Sequence, residues 1–427
     1  MYSKLENKFN VIYPDNSNAT YMSLLNYSDD LSKPFQRWFR YKEGFSVDLV
    51  KHLIEEYNSN KDGTILDPFL GGGSTIIAAN MMNLKGVGFE VNPFSHFLAS
   101  CKLKNYSLEV VKEFLNKSGE ILAAENILCN FDYPKLSFSE KVFNDDVSNY
   151  FMSFREKILT DKYNNPEVRE LMLLGWLSCL EEVSNYRKAG NGLKKRKYVK
   201  PRKMGITEAK KILEKQYLQM LEDIKTETVN FSANVINDSS LNLCKYIGDE
   251  SISGIVFSPP YANCFDYTEI YKLELWFGEF VKEYKDLKEL RKQSLRSHLN
   301  GDLNKDIEIK TTQSLTALIN KVKTKELWDK KIPKMLECYF SDMFNVIDNC
   351  FKVLEKKGFC CIVVGNSSYG DVIFPTDLIL AEYAQSIGFK VDKIEIDRFI
   401  ITSSQQYEST KENKKYLRES VICLAKE

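Results

Sequence analysis

One stretch of the chain, Gly254-Ile-Val-Phe-Ser-Pro-Pro-Tyr261, constrains the fold more than any other. We expect Gly254 to end a loop and the apolar run 255–257 to form a short strand that is buried on both faces. The segment 258–261 must then stop the strand, because two successive prolines remove two backbone donors and fix φ twice. Ligands of open α/β sheets bind at the carboxyl ends of strands, so this rigid turn is a candidate binding site.

The proline turn offers the groups that a planar ligand needs. Its carbonyls are held still, the Ser258 hydroxyl can accept a further hydrogen bond, and Tyr261 presents a flat face. Together these groups fit a ring that carries an exocyclic NH2. The alternative is a strand followed by a proline turn without any chemistry, and a second motif upstream argues against it.

The second motif is Asp67-Pro-Phe-Leu-Gly-Gly-Gly-Ser-Thr75, between a predicted strand at 61–66 and a predicted helix that begins near Ile76. A strand, a glycine-rich turn and a helix form an arrangement that binds nucleotide cofactors. No lysine follows the glycines, so the motif is not a P-loop. The acid directly after the strand would repel a phosphate, and it suits a cationic or amine-bearing ligand.

Two further acids close predicted strands. Glu90 ends the strand 87–90 about 20 residues after the glycines, where an acid takes the ribose hydroxyls in nucleotide-binding βαβ units. A surface glutamate at a strand end is the alternative. Asp238, followed by Ser239, closes another short strand. Phe45-Ser46 stands at a helix entry, with Ser46 as the predicted N-cap.

The alternation of strands and helices predicts a doubly wound, Rossmann-like α/β fold with large, mainly helical insertions. We expect residues 1–33 to form an irregular N-terminal arm. Residues 34–102 and 233–427 would form the sheet and its helices. Residues 103–232 are a predicted helical insertion, and the charged stretch 282–330 is a second one within the second part of the sheet.

The basic residues that could form a nucleic-acid-binding surface are concentrated in one stretch of the chain. The 427 residues contain 59 Lys and Arg and 59 Asp and Glu, so any such surface must be a local patch. Seven of the ten residues from Lys194 to Lys203 are basic, and such a cluster can hold phosphates. A solvated loop is the alternative. The candidate DNA-binding residues are Arg187, Lys194, Lys195, Arg196, Lys197, Lys200 and Arg202.

The remaining composition predicts a cytoplasmic protein. The N-terminus lacks the profile of a signal peptide, and no apolar run approaches membrane-spanning length. Ten cysteines without a C-x-x-C pattern suit free thiols in a reducing compartment. The three histidines, His52, His96 and His298, are isolated in the sequence, and we interpret them as structural rather than as ligands. We therefore expect no metal site.

The glycine motif at 67–75, paired with the proline motif at 258–261, resembles the signature of S-adenosylmethionine-dependent DNA amino methyltransferases. These enzymes methylate cytosine N4 or adenine N6. The resemblance covers 34–100 and 232–427 and leaves 103–232 unexplained. It implies S-adenosyl-L-methionine as the cofactor and double-stranded DNA as the substrate. It also implies a role in restriction–modification alongside a cognate restriction endonuclease, and it leaves the oligomeric state open.

The resemblance also assigns roles within the cofactor site. Asp67 and the glycines would bind the methionine part, Glu90 the ribose and Asp238 the adenine, and the helix start at 45–46 is similar to the N-terminal cofactor motif of the family. The implied cofactor-binding residues are Phe45, Ser46, Asp67, Pro68, Phe69, Gly71, Gly73, Thr75, Glu90, Asp238 and Ser239.

The chemistry of such an enzyme follows from the weakness of its nucleophile. The lone pair of an exocyclic amine is delocalised into the ring. Acceptance of its two N–H hydrogens by Ser258 Oγ and the Pro259 carbonyl would free that lone pair for in-line displacement, so catalysis is mostly positioning and electrostatic complementarity. The base must leave the duplex, and Tyr261 would stack on it. The implied catalytic residues are Ser258, Pro259, Pro260 and Tyr261.

Several alternatives stay open at this point. Ser258 stands where the adenine enzymes of the family usually carry Asp or Asn, which favours cytosine N4 over adenine N6 by resemblance alone. An RNA methyltransferase acting on guanine N2 of tRNA is a second alternative, and a non-catalytic DNA-binding subunit is a third. Little chain follows the last predicted strand at 424, so we expect 103–232, with help from 282–330, to carry target recognition.

Overall fold

The fold was established from a computed structural model. The structure describes residues 2–15, 29–42, 44–60, 62–124, 129–190, 192–196, 204–304, 308–400 and 411–427. Their strands are β1 Val11–Ile12, β2 Thr64–Asp67, β3 Lys85–Phe89, β4 Tyr186–Ala189, β5 Gly192–Lys195, β6 Ala233–Ile236, β7 Ile252–Phe257, β8 Leu354–Gly365, β9 Ser367–Tyr369, β10 Val372–Phe374, β11 Phe389–Phe399 and β12 Arg418–Lys426.

The helices alternate with these strands along the chain. They are α1 Tyr2–Glu6, α2 Val47–Tyr57, α3 Ser74–Met81, α4 Pro93–Lys102, α5 Leu108–Ala123, α6 Asp145–Thr160, α7 Pro166–Val183, α8 Ile206–Thr226, α9 Tyr267–Ile270, α10 Lys272–Phe277, α11 Tyr284–Gln293, α12 Gln313–Lys323, α13 Ile332–Val353 and α14 Thr376–Ser386. None of the helices in the described ranges is long and apolar enough to cross a bilayer.

The main sheet has eight strands in the order β1-β11-β12-β8-β7-β2-β3-β6. The five strands from β6 to β8 are parallel to one another, whereas β12 runs antiparallel to both of its neighbours. The predicted Rossmann-like α/β fold is therefore confirmed. After β2 the chain passes to β3 and β6 on one side, and it then returns to β7 on the other side of β2. The edge between β2 and β7 is thus a topological switch point, where open α/β sheets bind ligands.

The central strands are buried on both faces. All six residues of β7 are buried, and successive side chains enter opposite layers: Val256 belongs to the hydrophobic core that includes α2 to α8, and Ile255 and Phe257 belong to the core that includes α12, α13 and α14. Gly254 was expected to end a loop, and that expectation is wrong, because it lies inside β7. A Cβ at this position would stand 2.3 Å from the Phe359 ring of the neighbouring strand, so the strand needs glycine here.

The prediction of an irregular arm is wrong for residues 2–15. Helix α1 packs against the core through Leu5, and β1 pairs with β11 at the edge of the sheet. Glu6 accepts a hydrogen bond from Arg418, a fully buried residue whose guanidinium also binds Asp377. The sequence did not indicate this contact, because its partners lie at opposite ends of the chain.

The stretch 103–232 contains α5 to α8, as its helix-prone composition predicted, and these helices share one hydrophobic core with α2, α3 and α4. The basic stretch holds a feature that sequence reasoning missed. Residues 186–189 and 192–195 pair as the antiparallel strands β4 and β5 and do not form a loop, and we call this strand pair the hairpin. The lysine-rich tail at 197–203 lies outside the described residues, and three of the candidate DNA-binding residues are there: Lys197, Lys200 and Arg202.

Candidate active site

The loops that follow β2, β3, β6 and β7 open into one cavity. Residues from both motifs line it, so the glycine turn and the proline turn share a cleft. The predicted site residues in its wall are Phe45, Pro68, Phe69, Gly71, Glu90, Asp238, Ser239, Ser258 and Pro260. The predicted site residues outside its wall are Ser46, Asp67, Gly73, Thr75, Pro259 and Tyr261, each next to or near a lining residue.

The glycine loop takes a shape that other residues rarely adopt. Gly71 and Gly73 have φ angles of 50° and 87°, in the left-handed region that favours glycine. The Tyr41 ring packs directly on the loop, and a Cβ at Gly71 would lie 3.0 Å from one of its ring carbons. Backbone conformation and close approach therefore both require glycine at position 71.

A buried lysine supports this loop from inside the protein. Lys102 is fully buried, and its Nζ donates to the Gly72 carbonyl at 2.6 Å and to Gln36 Oε1 at 2.8 Å. Gln36 in turn donates to Ser74 Oγ at 3.0 Å, at the start of α3. Burial lowers the pKa of Lys102 to about 7. Sequence reasoning missed Lys102, because its position at the end of α4 gives no sign of a loop contact.

Asp67 is a buried acid with an unmet hydrogen-bonding oxygen. It is 1% exposed, and its Oδ1 accepts from the Phe69 N–H at 2.9 Å, whereas its Oδ2 has no partner among the described residues. Burial raises the pKa of Asp67 to about 7. An amine or ammonium donor would relieve this cost, so the residue fits the amine-bearing ligand that its position predicted.

Thr75 and Ser46 occupy structural positions. Thr75 is fully buried, and its hydroxyl donates to the Val256 carbonyl at 3.2 Å, which ties α3 to β7. Ser46 caps α2, as predicted, by accepting from the Leu49 N–H at 3.1 Å. Phe45, in contrast, lines the cavity.

Glu90 links two loops at the mouth of the sheet. Its carboxylate accepts from the Gly71 N–H at 2.9 Å and from the Asn92 N–H at 2.8 Å. Burial raises the pKa of Glu90 to about 7, although these two N–H groups lower it. The Asn92 side chain caps α4, which begins at Pro93. Glu90 is therefore held in a fixed orientation toward the cavity.

Asp238 has a different environment from the other two acids. Its carboxylate accepts from the Ser239 N–H at 2.6 Å, from Asn242 Nδ2 at 2.9 Å and from the Tyr246 hydroxyl at 2.8 Å. Burial alone would raise the pKa of Asp238, but these hydrogen bonds lower it overall. Ser239 caps the short 3-10 helix Ser240–Lys245.

The proline turn lies against the glycine turn. The Phe69 ring, from the first motif, stands 5.5 Å from the Phe257 ring at the end of β7. Ser258 Oγ lies 3.5 Å from the Tyr261 hydroxyl. The Tyr261 ring covers Gly365 at the end of β8, where a Cβ would come within 2.7 Å of it. The Tyr261 ring can pack here because residue 365 is glycine and has no side chain.

A further wall of the cavity comes from residues that sequence reasoning did not select. Asp266, Tyr267 and Thr268 line it at the start of α9, and the segment after α11 supplies Leu295, Ser297 and His298. That segment belongs to the charged stretch 282–330, which we expected only to aid recognition. Its small polar residues form no motif, so the sequence carried no signal for this wall.

The hairpin of β4 and β5 is anchored beside the site by a buried cation. Lys188 Nζ binds Glu274 Oε1 at 2.6 Å and lies 4.4 Å and 4.8 Å from the ring centres of Phe39 and Tyr271. The Tyr271 ring stacks on Tyr41, which covers the glycine loop. The hairpin is therefore packed onto the same aromatic cluster that supports the glycine loop.

The predicted phosphate contacts on the hairpin differ in exposure. Arg187, Lys194 and Lys195 are exposed. Arg196 instead uses its guanidinium within the protein, where it donates to the Tyr186 carbonyl at 3.2 Å and to the Glu181 carbonyl at 3.0 Å. Three exposed cations thus follow the two strands of the hairpin.

Comparisons with known proteins agree with this geometry. Residues 5–99, which include the glycine turn, match the N6_N4_Mtase family model, described as DNA methylase. The chain is 28% identical to the Type II methyltransferase M.BsoBI of Geobacillus stearothermophilus over 419 residues, covering 87% of this chain and 82% of that protein.

Two other relatives are comparable in extent. The Type II methyltransferase M.AvaI of Nostoc is 28% identical over 408 residues, with the same shares of the two chains covered. The Type II methyltransferase M.MvaI of Kocuria varians is 22% identical over 400 residues, covering 86% of this chain and 84% of that protein. The family match, these relatives and the α/β architecture together support this chain as a DNA amino methyltransferase of the restriction–modification type, in the N4/N6 family.

Proposed function

We propose that this protein transfers a methyl group from S-adenosyl-L-methionine to the exocyclic amine of a flipped base in double-stranded DNA, with cytosine N4 as the favoured target. One observation carries the proposal: the glycine turn and the proline turn open into the same cavity. A methyl donor in one turn and a base in the other would therefore face each other. In a restriction–modification system, the modified DNA would be protected from a cognate restriction endonuclease.

The residues at the glycine end fit the proposed cofactor. When bound, the cofactor supplies an electrophilic methyl group on sulfur. Asp67 Oδ2 would accept a hydrogen bond from the amine of the cofactor. Glu90 and Asp238 line the cavity, where they could accept from the ribose hydroxyls and from the exocyclic amine of the adenine. The glycines at 71 and 73 allow the backbone to approach the ligand closely.

At the proline end, the protein orients the amine rather than reacting with it. The Ser258 hydroxyl and the Pro259 carbonyl would each accept one N–H of the target, which concentrates the lone pair on nitrogen. Two prolines hold these acceptors still, so little reorganisation accompanies the reaction. Tyr261 would stack on the flipped base, since aromatic stacking is the usual support for an extruded nucleotide.

The experiment that tests the proposal is methylation of unmodified genomic DNA, followed by digestion to nucleosides and mass spectrometry. We expect N4-methyl-2′-deoxycytidine that appears only when both protein and cofactor are present. N6-methyl-2′-deoxyadenosine as the sole product would replace the cytosine assignment and keep the enzyme class. No methylated nucleoside in DNA, with methylation of tRNA in a parallel reaction, would refute the DNA substrate.

A further inference from the structure

We propose that His298, with Asp266 behind it, accepts the proton that the target amine loses during methyl transfer. His298 would then be a catalytic residue supplied by the stretch 282–330. This inference rests on the proposed function, because only methylation of an amine creates the proton.

The proton follows from the balance of the reaction. The nitrogen lone pair forms the new bond to the methyl carbon while the carbon–sulfur bond of the donor breaks and its electron pair stays on sulfur. The nitrogen, which began with two hydrogens, is then cationic and must release one of them to give the neutral methylamino product. The Ser258 hydroxyl and the Pro259 carbonyl can orient these hydrogens, but both are very weak bases. A positioned base nearby would complete the reaction.

His298 lines the same cavity as Ser258 and Pro260, and it is 5% exposed. Its Nδ1 is buried without a hydrogen-bond partner among the described residues, 3.9 Å from Asp266 Oδ2. Buried polar atoms in proteins are usually hydrogen-bonded, so a histidine that only filled space would normally have a partner here. The polar group that faces this nitrogen is the Asp266 carboxylate, beyond hydrogen-bond distance, so it acts on the ring through its charge.

Asp266 is held as a carboxylate. Its oxygens accept from the Thr268 N–H at 2.9 Å, from Arg291 Nε at 3.0 Å and from Asn300 Nδ2 at 3.1 Å. Burial alone would raise the pKa of Asp266, but His298, these hydrogen bonds and the Arg291 charge lower it. A negative charge is therefore fixed on the Nδ1 side of His298.

That charge selects the tautomer of the imidazole. A proton on Nδ1 is attracted by the carboxylate, whereas a lone pair there would be repelled, so Nε2 becomes the acceptor. Within the part of the chain that the structure describes, no other group hydrogen-bonds to the ring. Burial lowers the pKa of His298, Asp266 opposes that shift and Arg291 adds to it. The ring is thus neutral near pH 7 and able to take a proton, and Asp266 would stabilise the resulting imidazolium.

The other acids of the cavity are poorly placed for this task. The Glu90 carboxylate is occupied by two backbone N–H groups, and that of Asp238 by three donors. Both follow the strands of the cofactor side. His298 is the lining residue whose basic atom is not already used in this way.

The test compares H298A with H52A, because His52 lies on the surface of α2 with a side chain that is 57% exposed. Single-turnover methylation of genomic DNA is measured from about pH 5 to about pH 9 with saturating cofactor. We expect H298A to lose about 100-fold or more in rate, with partial rescue by added imidazole, and H52A to match the wild type. The wild-type rate should fall as acid protonates His298, and H298A should lack that fall.

A second measurement does not depend on activity. Nitrogen-15 NMR of the wild-type ring reports the tautomer, and we expect the proton on Nδ1 in the wild type and a mixed population in D266N. Calorimetry should give unchanged cofactor affinity in H298A, which also verifies that the variant folds. An Nε2-protonated ring, or an H298A rate and pH profile equal to those of the wild type, would overturn the inference while methylation by the wild type stands. Failure of the wild type to methylate DNA would instead refute the proposed function.

Discussion

The two ends of the cavity are built in different ways. At the glycine end, the backbone is fixed by Tyr41 above it and Lys102 below it, and Glu90 already holds the Gly71 N–H. At the proline end, the Ser258 hydroxyl has within the described residues a single long contact, with Tyr261, and His298 Nδ1 has no hydrogen-bond partner there. The backbone of the glycine end is thus prearranged, whereas the side chains at the proline end are less tightly held by hydrogen bonds.

This contrast predicts that substitutions at the two ends affect different steps. Groups at the glycine end should alter cofactor affinity and the stability of the protein. Groups at the proline end should alter the rate of transfer and leave cofactor affinity unchanged. The predictions below test that division, beginning with the largest expected effect.

Replacement of Ser258 should give the largest loss. S258A removes one of the two acceptors for the target amine, and loss of one positioned hydrogen-bonding group typically lowers the rate of a reaction about 100-fold to 1000-fold. Single-turnover methylation measures the rate, and calorimetry should show unchanged cofactor affinity. S251A is the matched control, because Ser251 is exposed and lies just before β7, at the opposite end of that strand. A large fall in cofactor affinity in S258A would contradict the division between the two ends.

Replacement of Asp67 and of Asp238 by asparagine should change the stability of the protein in opposite directions. Burial raises the pKa of Asp67 to about 7, above its value of about 3.9 in the unfolded chain, so ionisation of Asp67 destabilises the folded protein. This loss of stability is absent well below the unfolded pKa, where both states are protonated, and it is complete above about pH 7. D67N should therefore stabilise the ligand-free protein by roughly 1–3 kcal/mol at pH 8, with a smaller gain as the pH falls. The pKa of Asp238 is lowered, so D238N should destabilise it.

Urea denaturation at several pH values measures both effects, and cofactor binding completes the test. D67N should weaken cofactor affinity in spite of its greater stability, because a neutral amide cannot form an ion pair with an ammonium group. If D67N bound cofactor as tightly as the wild type, Asp67 would not contact the amine. If it were also less stable than the wild type at pH 8, the unmet hydrogen bond of Asp67 would not be costly.

Lys102 provides a smaller test of the prearranged end. Its pKa is lowered to about 7, so between about pH 7 and pH 10 the unfolded chain binds a proton that the folded protein does not. The free energy of unfolding should therefore rise with pH in that window, with a slope that approaches about 1.4 kcal/mol per pH unit. K102M should lose this slope and bind cofactor more weakly, because the Gly72 carbonyl loses its donor. If the free energy of unfolding rose equally with pH in K102M and in the wild type, a group other than Lys102 would bind the proton on unfolding.

Much of the glycine end could be predicted from the sequence because its residues lie at or directly after the ends of strands. Asp67 ends β2, the glycines come just after it and Glu90 follows β3, and parallel strands bring their carboxyl ends to one edge. The caps at Ser46 and Asn92 were predictable for the same reason, since a cap acts within a few residues of its own helix.

The residues that sequence reasoning missed act over long separations. Lys102 reaches the loop at Gly72 across 30 residues, and His298 meets Asp266 across 32, with no local pattern that marks either contact. The wrong expectation for Gly254 has a related cause. Glycine is required there because the Phe359 ring of the neighbouring strand lies against it, and that neighbour is known only once the sheet order is known. The helix-prone and charged compositions of 103–232 and 282–330 indicated helices, but they did not indicate which surfaces those helices would complete.

The hairpin of β4 and β5 should give the smallest effect, on DNA binding rather than on chemistry. Arg187, Lys194 and Lys195 are exposed on it, and we propose that they hold phosphates, which position the DNA without specifying its sequence. The triple variant R187A/K194A/K195A should weaken DNA binding and reduce the slope of log affinity against log salt by about 2 to 3. Lys188 stays in place, so the hairpin keeps its anchor on Glu274 and Tyr271.

The matched control removes three exposed lysines elsewhere, K8A/K352A/K390A, whose side chains are 51%, 57% and 61% exposed. Both variants lose the same net charge, so a general electrostatic effect would lower the two slopes equally. A slope reduced only in the hairpin variant would place the DNA backbone beside the aromatic cluster of Tyr271 and Tyr41, which packs on the glycine loop. DNA would then contact the prearranged end through its phosphates and the proline end through its extruded base, and equal slopes would contradict that orientation.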